Sequence, residues 1–313
     1  MSKANLSVAD MSKLRIIVNP ISGSGKAVRF LKKLEQALSA RSIAFETMLT
    51  GQAGDACREA TVCQGKGYSA ILCLSGDGTI NEVINGLMAG QQDIPLGLIP
   101  FGSGNVIAKG LGLKRDINQF IELYQNERII AVDLGRITNK ESAGRYFISM
   151  VGAGYDAEVA HRYHISRAGK SKLQAHLFSY FPISIKTLWS YRMPRITIKL
   201  DGQPVSDDAS FIQIANTHSY GGPFTFVPDA LMDDGMLDTL WFKGRNRLNA
   251  LLYFGMAFLG NGSAWPGSKL VRAQVIELSS ADDVRVQIDG DSCGQLPARI
   301  DIVPKAIKVF AQI

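Results

Sequence analysis

The sequence predicts an α/β protein in which a parallel-sheet nucleotide-binding domain is joined to an antiparallel β-sandwich domain. Three observations carry this prediction. Apolar runs alternate with helical patterns up to residue 130, short alternating strands dominate the remainder, and three glycine-containing loops separate strands from helices in the first part. The chain has 313 residues and is 46% apolar, which is enough for two hydrophobic cores.

The first part opens with a β-branched strand over residues 14–18, a Gly/Ser loop and a helix over residues 26–40. In this helix Leu31, Leu34 and Leu38 recur at the spacing of one helical face. The predicted elements that follow are strand 44–49, helix 53–64, strand 69–74, helix 81–88 and strand 95–100. This alternation is typical of a parallel sheet with helices on both faces.

After residue 135 the pattern changes to many short strands separated by turn signals. Residues 195–200, Arg-Ile-Thr-Ile-Lys-Leu, alternate cleanly between polar and apolar side chains. Further strands are predicted over residues 210–215, 236–242, 284–288 and 299–303, and two helical stretches over residues 170–190 and 246–259. We therefore assign residues 1–135 to the α/β domain and residues 136–303 to the sandwich domain.

Composition and charge exclude several classes of protein. No apolar stretch reaches the roughly 20 residues that a membrane-spanning helix needs, and the N-terminus lacks the pattern of a secretory signal. The four cysteines show no CxxC spacing, which favours a reduced cytoplasmic setting. The net charge is +6, and there is no acidic residue between Glu158 and Asp201 although eight basic residues lie there. Such a patch attracts phosphate groups of lipids or nucleic acids.

The strongest chemical signals are three loops that each follow a predicted strand and precede a predicted helix. They cover residues 19–25, 75–81 and 100–105. In a parallel sheet such loops gather at the carboxyl edge, and glycine lets the backbone approach a phosphate group. The Walker A pattern fails because Pro20 and Ala27 stand at two required positions, and the G-x-G-x-x-G pattern fails at Val28.

Residues 75–87, Ser-Gly-Asp-Gly-Thr-Ile-Asn-Glu-Val-Ile-Asn-Gly-Leu, resemble the GGDGTxNEVxNGL signature of the diacylglycerol kinase-type lipid kinases, a family that includes sphingosine kinases. Residues 19–23 are similar to the family's NPxSG, and residues 227–238 to its P-x-A-x-x-x-DGxLD. Residues 288–291, Ile-Asp-Gly-Asp, lie where the family has DGE. Four motifs in the family's order make the resemblance specific, and it extends over most of the chain.

The resemblance implies an NAD-kinase-like α/β domain that binds ATP, with a strand within residues 304–313 returning to it, and a lipid hydroxyl that attacks the γ-phosphate between the domains. Carried over by position, the nucleotide contacts are Asn19, Pro20, Ile21, Ser22, Gly23, Thr50, Ser75, Gly76, Asp77, Gly78, Thr79, Ile80, Asn81 and Ser103. A structural Mg²⁺ site of the bacterial members maps to the Leu231 carbonyl, Asp234 and the Met236 carbonyl.

The sequence departs from the family's pattern at three positions. Asp291 replaces the glutamate that serves as general base and is one methylene shorter, so Asp77 competes with it, as base or as ligand of the Mg²⁺ that accompanies ATP. Ser75 replaces the first glycine of GGDGT, and a serine fits there if φ is not positive. The Gly-Ser-Gly-Asn segment at residues 102–105 is closer to the sphingosine kinases than to the bacterial GTxND form.

Two further positions have two interpretations each. Asp156 is either the N-cap of a short helix over residues 157–161 or the aspartate that engages the polar head of the lipid. The basic and aromatic segment 159–200 is either a solvated helix face or a membrane surface, and a bilayer substrate favours the second interpretation.

The sequence contains no nucleic-acid recognition motif, and we expect no nucleic-acid partner. His161 and His164 lack a third metal ligand in sequence and are predicted to form a surface pair.

The sequence therefore predicts an ATP- and Mg²⁺-dependent lipid kinase, cytoplasmic and peripheral at the inner face of the membrane. Diacylglycerol, a sphingoid base, a monoacylglycerol and phosphatidylglycerol stay open as acceptors, with Asp156 favouring a sphingoid base slightly. A homodimer is left open as well. The alternatives from other classes are a soluble-substrate kinase of the NAD kinase type and a non-catalytic lipid-binding relative.

Overall fold

The structure, a computed structural model, describes residues 13–167, 180–218, 226–243, 252 and 267–312. The chain divides into two compact units. The first holds the residues up to 101, residues 113–130 and the residues from 307 onwards, and the second holds residues 102–112 and 131–306. The sequence-based boundaries at residues 135 and 303 lie a few positions from these. Residues 102–112, which include Ser103 and were assigned to the α/β domain, cluster with the second unit instead.

The elements of the first 125 residues are β1 (Lys13–Val18), α1 (Lys26–Ser39), β2 (Phe45–Leu49), α2 (Asp55–Val62), a 3-10 turn (Gln64–Lys66), β3 (Tyr68–Ser75), α3 (Asp77–Ala89), β4 (Leu96–Pro100), α4 (Val106–Gly110) and α5 (Ile117–Gln125). The remaining elements are β5 (Ile129–Asn139), β6 (Ala143–Phe147), β7 (Met150–Gly154), α6 (Tyr155–Arg167), α7 (Tyr180–Ser190), β8 (Ile196–Leu200), β9 (Gln203–Ala215), β10 (Leu237–Lys243), β11 (Ser268–Ala273), β12 (Val275–Ser279), β13 (Arg285–Ile288), β14 (Asp291–Gln295) and β15 (Ala298–Phe310).

The first unit contains a parallel sheet, as the sequence predicts. Its strand order is β2-β1-β3-β4, and the end of β15 adds to β4 in parallel. Val18 of β1 pairs with Leu49 of β2 and Leu74 of β3, while Ser75 of β3 pairs with Pro100 of β4. Because the four strands end level with one another, the segments that follow them emerge at one edge of the sheet.

The helix after β3 begins four residues earlier than the sequence suggested. Gly76 is extended, with φ −90° and ψ 175°, and serves as N-cap, so that α3 starts at Asp77 rather than at residue 81. An acidic residue in the first turn is favourable because the helix N-terminus carries partial positive charge. Asp77 and Thr79 are therefore helical residues, although the sequence predicted a loop over residues 75–81.

The second unit is built from antiparallel strands in a sandwich-like arrangement. The strand order is β14-β13-β7-β9-β8-β12-β15, with β10 between β9 and β11, and with β5 between β15 and β6. The first part of β9 pairs with β8, and its second part pairs with β7 and β10. Trp241 and Phe147 are the largest fully buried side chains of this unit's core.

Some predicted elements merge, and others lie outside the described residues. The strand predicted over residues 299–303 and the returning strand over residues 307–311 are one strand, β15, whose beginning is antiparallel to β12. Of the helix predicted over residues 170–190, the part from Tyr180 is described. Apart from residue 252, the helix predicted over residues 246–259 lies outside the described residues. Among the helices that the structure describes, none has the length and apolar character needed to cross a bilayer.

Candidate active site

The loop after β1 is joined to the start of α3 by side-chain hydrogen bonds. The Asn19 Nδ2 group donates to the Thr79 hydroxyl at 3.1 Å, and the hydroxyl oxygens of Ser22 and Ser75 lie 3.0 Å apart. The Asn19 Oδ1 atom also accepts from the Ile21 N–H at 3.2 Å. The structure thus brings five residues predicted from two separate motifs into one cluster at the carboxyl edge of the sheet.

The same loop turns sharply into α1. Gly23, Ser24 and Gly25 have φ values of 60°, 58° and 81°, all in the left-handed region. A Cβ atom on Gly23 would lie 3.2 Å from the Phe101 ring, so that both conformation and space favour glycine there. Beyond the turn the side chain of Lys26 is exposed at the start of α1.

The segment after β2 is tied to the same edge by two carboxylates. Thr50 is buried, and its N–H donates to the Val18 carbonyl at 2.9 Å. In the loop 51–54, two backbone N–H groups donate to Asp55 Oδ2 at 2.7 and 2.9 Å, and a third donates to Glu82 Oε2 at 3.0 Å. Glu82 belongs to α3, so this helix holds both the Thr50 loop and the Asn19 loop.

Ser75 shows why a serine is tolerated where the family has glycine. Its φ is not positive, and its side chain is fully buried against Ser22. Its carbonyl accepts from the Phe101 N–H at 2.8 Å, which fixes the end of β4 beside the second loop. The backbone at Ser75 therefore meets the condition under which a serine was expected to fit there, a φ outside the left-handed region.

The start of α3 offers backbone donors beside open space. Asp77 is half-buried in the first turn, and no heavy atom lies within 4 Å of the Cβ position of Gly78. N–H groups at a helix N-terminus attract anions such as phosphate. Ile80 and Asn81 are buried, so their side chains belong to the interior of this unit, and the Asn81 Oδ1 accepts from Asn85 at 2.8 Å.

The third loop is closed by its own asparagine. The Gly102 N–H donates to Asn105 Oδ1 at 2.6 Å, and Asn105, with φ 51°, is the N-cap of α4. Ser103 is exposed at the tip of this loop. In the first unit, the Arg115 guanidinium stacks on the Phe101 ring at 4.4 Å and donates to the Pro100 carbonyl at 2.8 Å.

Asp291 lies in the second unit, directly after a tight turn that closes β13 and β14. Ile288 pairs with Asp291, and the two residues between them, Asp289 and Gly290, have φ values of 48° and 89°. These angles suit a two-residue hairpin turn. The Asp291 side chain is 44% exposed, and its Oδ2 atom accepts from Arg145 Nη2 at 3.0 Å.

The neighbouring Asp289 has a structural role. Its Oδ1 accepts from the N–H groups of Ser149 and Met150, each at 2.9 Å, and its Oδ2 accepts from that of Ile148 at 3.1 Å. A carboxylate that accepts three backbone donors fixes the turn against the segment before β7. The position of Asp291 therefore depends on a residue that the sequence singled out only as part of a motif.

Asp156 lies inside α6 and is not its N-cap. The helix starts at Tyr155, two residues before the start that an N-cap at Asp156 requires, so the N-cap interpretation is wrong. Asp156 is half-buried, and its Oδ2 accepts from Gln287 Nε2 at 2.7 Å. The Gln287 Oε1 in turn accepts from the Gly290 N–H at 2.8 Å. One buried amide thus joins Asp156 to the turn that precedes Asp291.

The two histidines of α6 have separate environments. His164 Nε2 lies 3.0 Å from the Gly290 carbonyl, a hydrogen bond to the same turn. Burial, followed by the positive charge of Arg285, lowers the pKa of His161 below its ordinary value. Glu158, one turn before, pairs with Arg162 at 2.6 Å and with Arg285 at 3.0 Å.

At the predicted structural Mg²⁺ site the Asp234 carboxylate is already engaged. Its Oδ1 accepts from the Met236 N–H at 3.0 Å, and its Oδ2 forms an ion pair with Arg272. Leu231 is exposed, and the described residues contain no group of three carboxylate, histidine or cysteine side chains able to hold a metal ion. Both oxygens of the Asp234 carboxylate thus have protein partners, and the ion at these three residues stays a prediction.

Two buried acids lie around this loop. Asp133 is fully buried, and its carboxylate accepts from the N–H groups of Gly235 at 2.6 Å and Lys305 at 2.7 Å. Burial raises the pKa of Asp238, Arg272 opposes the rise, and the charges of Asp234 and Asp229 add to it.

Sequence reasoning missed several residues that shape the site. Glu82 and Asp289 stood within quoted motifs but had no assigned role, and Arg145 gave no signal at all. Asp133 is a single polar residue inside the apolar run at residues 129–134, whereas Gln287 lies in the alternating segment 284–288 together with Arg285 and does not stand out there. A lone polar residue in a buried strand needs a hydrogen-bond partner, so that pattern is a usable signal.

Comparison with known proteins agrees with the motifs. The model of the diacylglycerol kinase catalytic domain matches residues 13–137, and the model of the YegS C-terminal NAD kinase β-sandwich-like domain matches residues 149–311. Diacylglycerol kinases of Staphylococcus aureus and Mycobacterium tuberculosis are each 28% identical to this chain, over 96% and 99% of it and over 92% and 98% of their own lengths.

Solved structures show the same fold. The crystal structure of a diacylglycerol kinase from Bacillus anthracis superposes with a TM-score of 0.73 at 22% identity, covering 97% of this chain and 98% of that one. A further structure from that organism superposes with a TM-score of 0.79 at 24% identity, covering 99% of both chains.

Proposed function

The chain belongs to the diacylglycerol kinase-type lipid kinase family, and from that premise we propose that it transfers the γ-phosphoryl group of ATP to the hydroxyl of a membrane lipid. The observation that carries the proposal is the cluster formed by Asn19, Ser22, Ser75 and Thr79 at the start of α3. Phosphoryl transfer depends on positioning and charge neutralisation, and a rigid set of donors beside a helix N-terminus supplies the first requirement.

The loops of the first unit would hold the nucleotide. Residues 19–25, Thr50 and the first turn of α3 supply hydroxyl and backbone N–H groups beside the open space at Gly78. Asp77 is the candidate ligand for the Mg²⁺ that accompanies ATP, because it lies at the start of α3 beside the proposed phosphate donors and hard cations bind oxygen ligands. When bound, Mg²⁺ would neutralise charge on the transferring phosphoryl group.

Asp291 is the better candidate for the general base. Its carboxylate is 44% exposed and lies on a turn fixed by the Asp289 carboxylate, so it is both reachable and held in place. Asp77 lies in the first turn of α3, among the backbone donors proposed to hold the phosphates, and this position suits a ligand of the nucleotide's Mg²⁺. The missing methylene of Asp291 relative to glutamate leaves the choice to experiment.

We take diacylglycerol as the first acceptor to test, because the relatives that cover nearly the whole chain carry that name. A sphingoid base is the alternative, since the Asp156 carboxylate would attract its ammonium group. The γ-phosphate of labelled ATP would be followed into both lipids, into monoacylglycerol and into phosphatidylglycerol, in mixed micelles. Transfer to none of these lipids by a folded protein that binds ATP would contradict the proposal.

Variants assign the roles in the same assay. Asp291→Asn removes the candidate base and is expected to abolish transfer while ATP still binds, whereas Asp77→Asn is expected to raise the Mg²⁺ concentration needed. Asp283→Asn, at an exposed aspartate of the same unit, serves as the matched control. Equal activity of the wild type and Asp291→Asn would show that a group other than Asp291 acts as the general base.

The surface formed by α6 and α7 is proposed to contact an anionic membrane. Trp189, Ile165 and Ile185 are 67%, 61% and 40% exposed, and Lys186 is exposed beside them. Arg162 of α6 donates to Ser190 of α7 at 2.6 Å, which keeps the two helices side by side. Tryptophan prefers the membrane interface, and basic side chains attract anionic headgroups. The acid-free stretch 159–200 supports the same partner.

A matched pair of substitutions tests this surface. Ile185 and Val271 are each 40% exposed in the second unit, but only Ile185 belongs to the α6–α7 surface. Ile185→Ser is expected to weaken sedimentation with phosphatidylglycerol vesicles, while Val271→Ser is not. Wild type should bind phosphatidylcholine vesicles weakly at physiological salt. Equal losses for both variants, or equal binding to both kinds of vesicle, would contradict the assignment.

A further inference from the structure

Gln287 occupies an unusual place for an amide side chain. It lies in β13, is only 2% exposed, and uses both ends of its amide on groups of the candidate site. Its Nε2 donates to Asp156 Oδ2 at 2.7 Å, and its Oε1 accepts from the Gly290 N–H at 2.8 Å. The first partner is the candidate lipid-head carboxylate, and the second belongs to the turn that carries Asp291.

The strand beside Gln287 provides the space for this bridge. Gly152 of β7 pairs directly with Gln287, and a Cβ atom on Gly152 would lie 2.2 Å from Asp156 Oδ2 and 2.7 Å from Gln287 Nε2. The φ of Gly152 is not in the left-handed region, so its backbone conformation does not call for glycine. Glycine is needed here because the hydrogen bond between Asp156 and Gln287 occupies the position of a side chain.

The turn between β13 and β14 is held from two further sides. His164 of α6 bonds to the Gly290 carbonyl, and the Asp289 carboxylate bonds to the segment before β7. Gln287 is the member that also reaches Asp156. Without it, the Asp156 carboxylate loses its side-chain link to the turn that precedes Asp291, although His164 still joins α6 to that turn.

We propose that Gln287 is a positioning residue for phosphoryl transfer, which holds the Asp156 carboxylate and the turn of Asp291 at a fixed separation. This inference rests on the proposed function. A neutral amide suits the task, since it donates to the carboxylate without cancelling the negative charge that would attract a lipid hydroxyl or ammonium group. A misplacement of about 1 Å in such a constellation lowers the rate by about 100-fold.

Replacing the amide by an acid separates positioning from mere packing. In Gln287→Glu the new side chain has nearly the same size, and when protonated its O–H can still donate to Asp156. When it ionises, two carboxylates face each other at hydrogen-bond distance and repel. The variant is therefore expected to approach wild-type activity at acidic pH and to lose activity progressively as pH rises.

Other titratable groups nearby set the background of that pH profile. On α6 the titratable or charged groups are Tyr155, Glu158, His161, Arg162, Tyr163 and His164. Arg285 lies on β13 and Asp289 in the turn, and Asp291 of β14 pairs with Arg145 of β6. Strand β7 contains no titratable side chain. The effect of Gln287→Glu must therefore be expressed as a ratio to wild type at each pH. Gln295→Glu, on β14 of the same hairpin, is the matched control, since its added charge lies outside the bridge to Asp156.

The test measures kcat and KM of the full-length protein for ATP and for the accepting lipid across pH, with circular dichroism to check folding. Gln287→Ala and Gly152→Ala are each expected to lower kcat/KM for the lipid by about 10- to 100-fold, with KM for ATP unchanged. Gln287→Glu is expected to add an alkaline loss that Gln295→Glu lacks.

The outcomes separate the inference from the proposed function. An active wild type with Gln287→Ala and Gln287→Glu equally active at every pH would overturn the positioning role. A loss of activity in both variants that does not depend on pH would show that Gln287 only packs, and it would also overturn the positioning role. A folded wild type with no lipid phosphorylation would overturn the proposed function, and the inference with it.

Discussion

Substituting Asp289 by asparagine should destabilise the second unit and impair the candidate base at the same time. The Asp289 carboxylate accepts from three consecutive backbone N–H groups at 2.9 to 3.1 Å, those of Ile148, Ser149 and Met150. Two of these bonds reach Oδ1 and one reaches Oδ2. An asparagine can keep its oxygen at the Oδ1 position, but its NH2 group would then face the Ile148 N–H.

The geometry sets the size of the effect. Hydrogen bonds to a charged acceptor contribute about 1.5–3 kcal/mol each, and neutral ones about 1 kcal/mol. The variant loses the bond to Ile148 and weakens the two others, so the free energy of unfolding should fall by about 3 kcal/mol. For a unit of this size, the melting temperature of the second unit should drop by roughly 6–12 °C.

Asp201 provides the matched control for this substitution. It also sits at a turn with positive φ, and its Oδ1 alone accepts from the N–H groups of Gln274 and Val275, at 3.1 and 2.9 Å. Asparagine can keep both bonds there, so Asp201→Asn should cost only about 1 kcal/mol. Since Asp201 lies outside the candidate site, that variant should retain its activity.

The assay combines thermal unfolding with hydrogen exchange of the three amides and with lipid phosphorylation. Asp289→Asn should speed exchange at residues 148–150, lower the melting temperature and reduce kcat. Unchanged protection of these amides would refute the reasoning, because the carboxylate would then not be their partner in solution. A loss of stability as small as that of Asp201→Asn would refute the magnitude.

Three further predictions follow from single contacts. Glu82→Gln weakens the bond to the Gly54 N–H and should raise KM for ATP by about threefold without changing KM for the lipid; an unchanged KM for ATP would contradict its role in the Thr50 loop. Because Arg272 already neutralises Asp234, EDTA should leave the melting temperature of the wild type unchanged. Added Mg²⁺ should instead raise the melting temperature of the Arg272→Ala variant. A wild type that is destabilised by EDTA would contradict this prediction. Burial raises the pKa of Asp238, so its carboxyl group holds a proton more tightly in the folded protein than in the unfolded chain, where its pKa is near 3.8. The stability that this proton contributes is fully present below pH 3.8 and is lost as the pH rises through the pKa of the folded state. Asp238→Asn should therefore raise the melting temperature at pH 7 more than at pH 4, and an equal gain at both would contradict the sign.

Local sequence was sufficient for most elements of the parallel sheet. Strands β1, β3 and β4 consist of short apolar runs, and α1 shows a clear apolar face, so period and composition predicted them. The start of α3 was placed too late because Gly76 and Gly78 resemble loop residues. The extended N-cap at Gly76 and the acid in the first turn let the helix begin there in spite of its glycine.

The order of the motifs was enough to predict the family and the candidate residues, but not the residues that these candidates contact. The sequence by itself determined an α/β unit followed by an antiparallel unit, three loops suited to phosphate, and carboxylates at Asp77, Asp156 and Asp291. These follow from patterns a few residues long. Only the tertiary structure decided that Asn19 bonds to Thr79, that Arg272 covers Asp234 and that Gln287 links Asp156 to the turn of Asp291. Such contacts join residues distant in sequence, and strand register sets their distances, which no local pattern encodes.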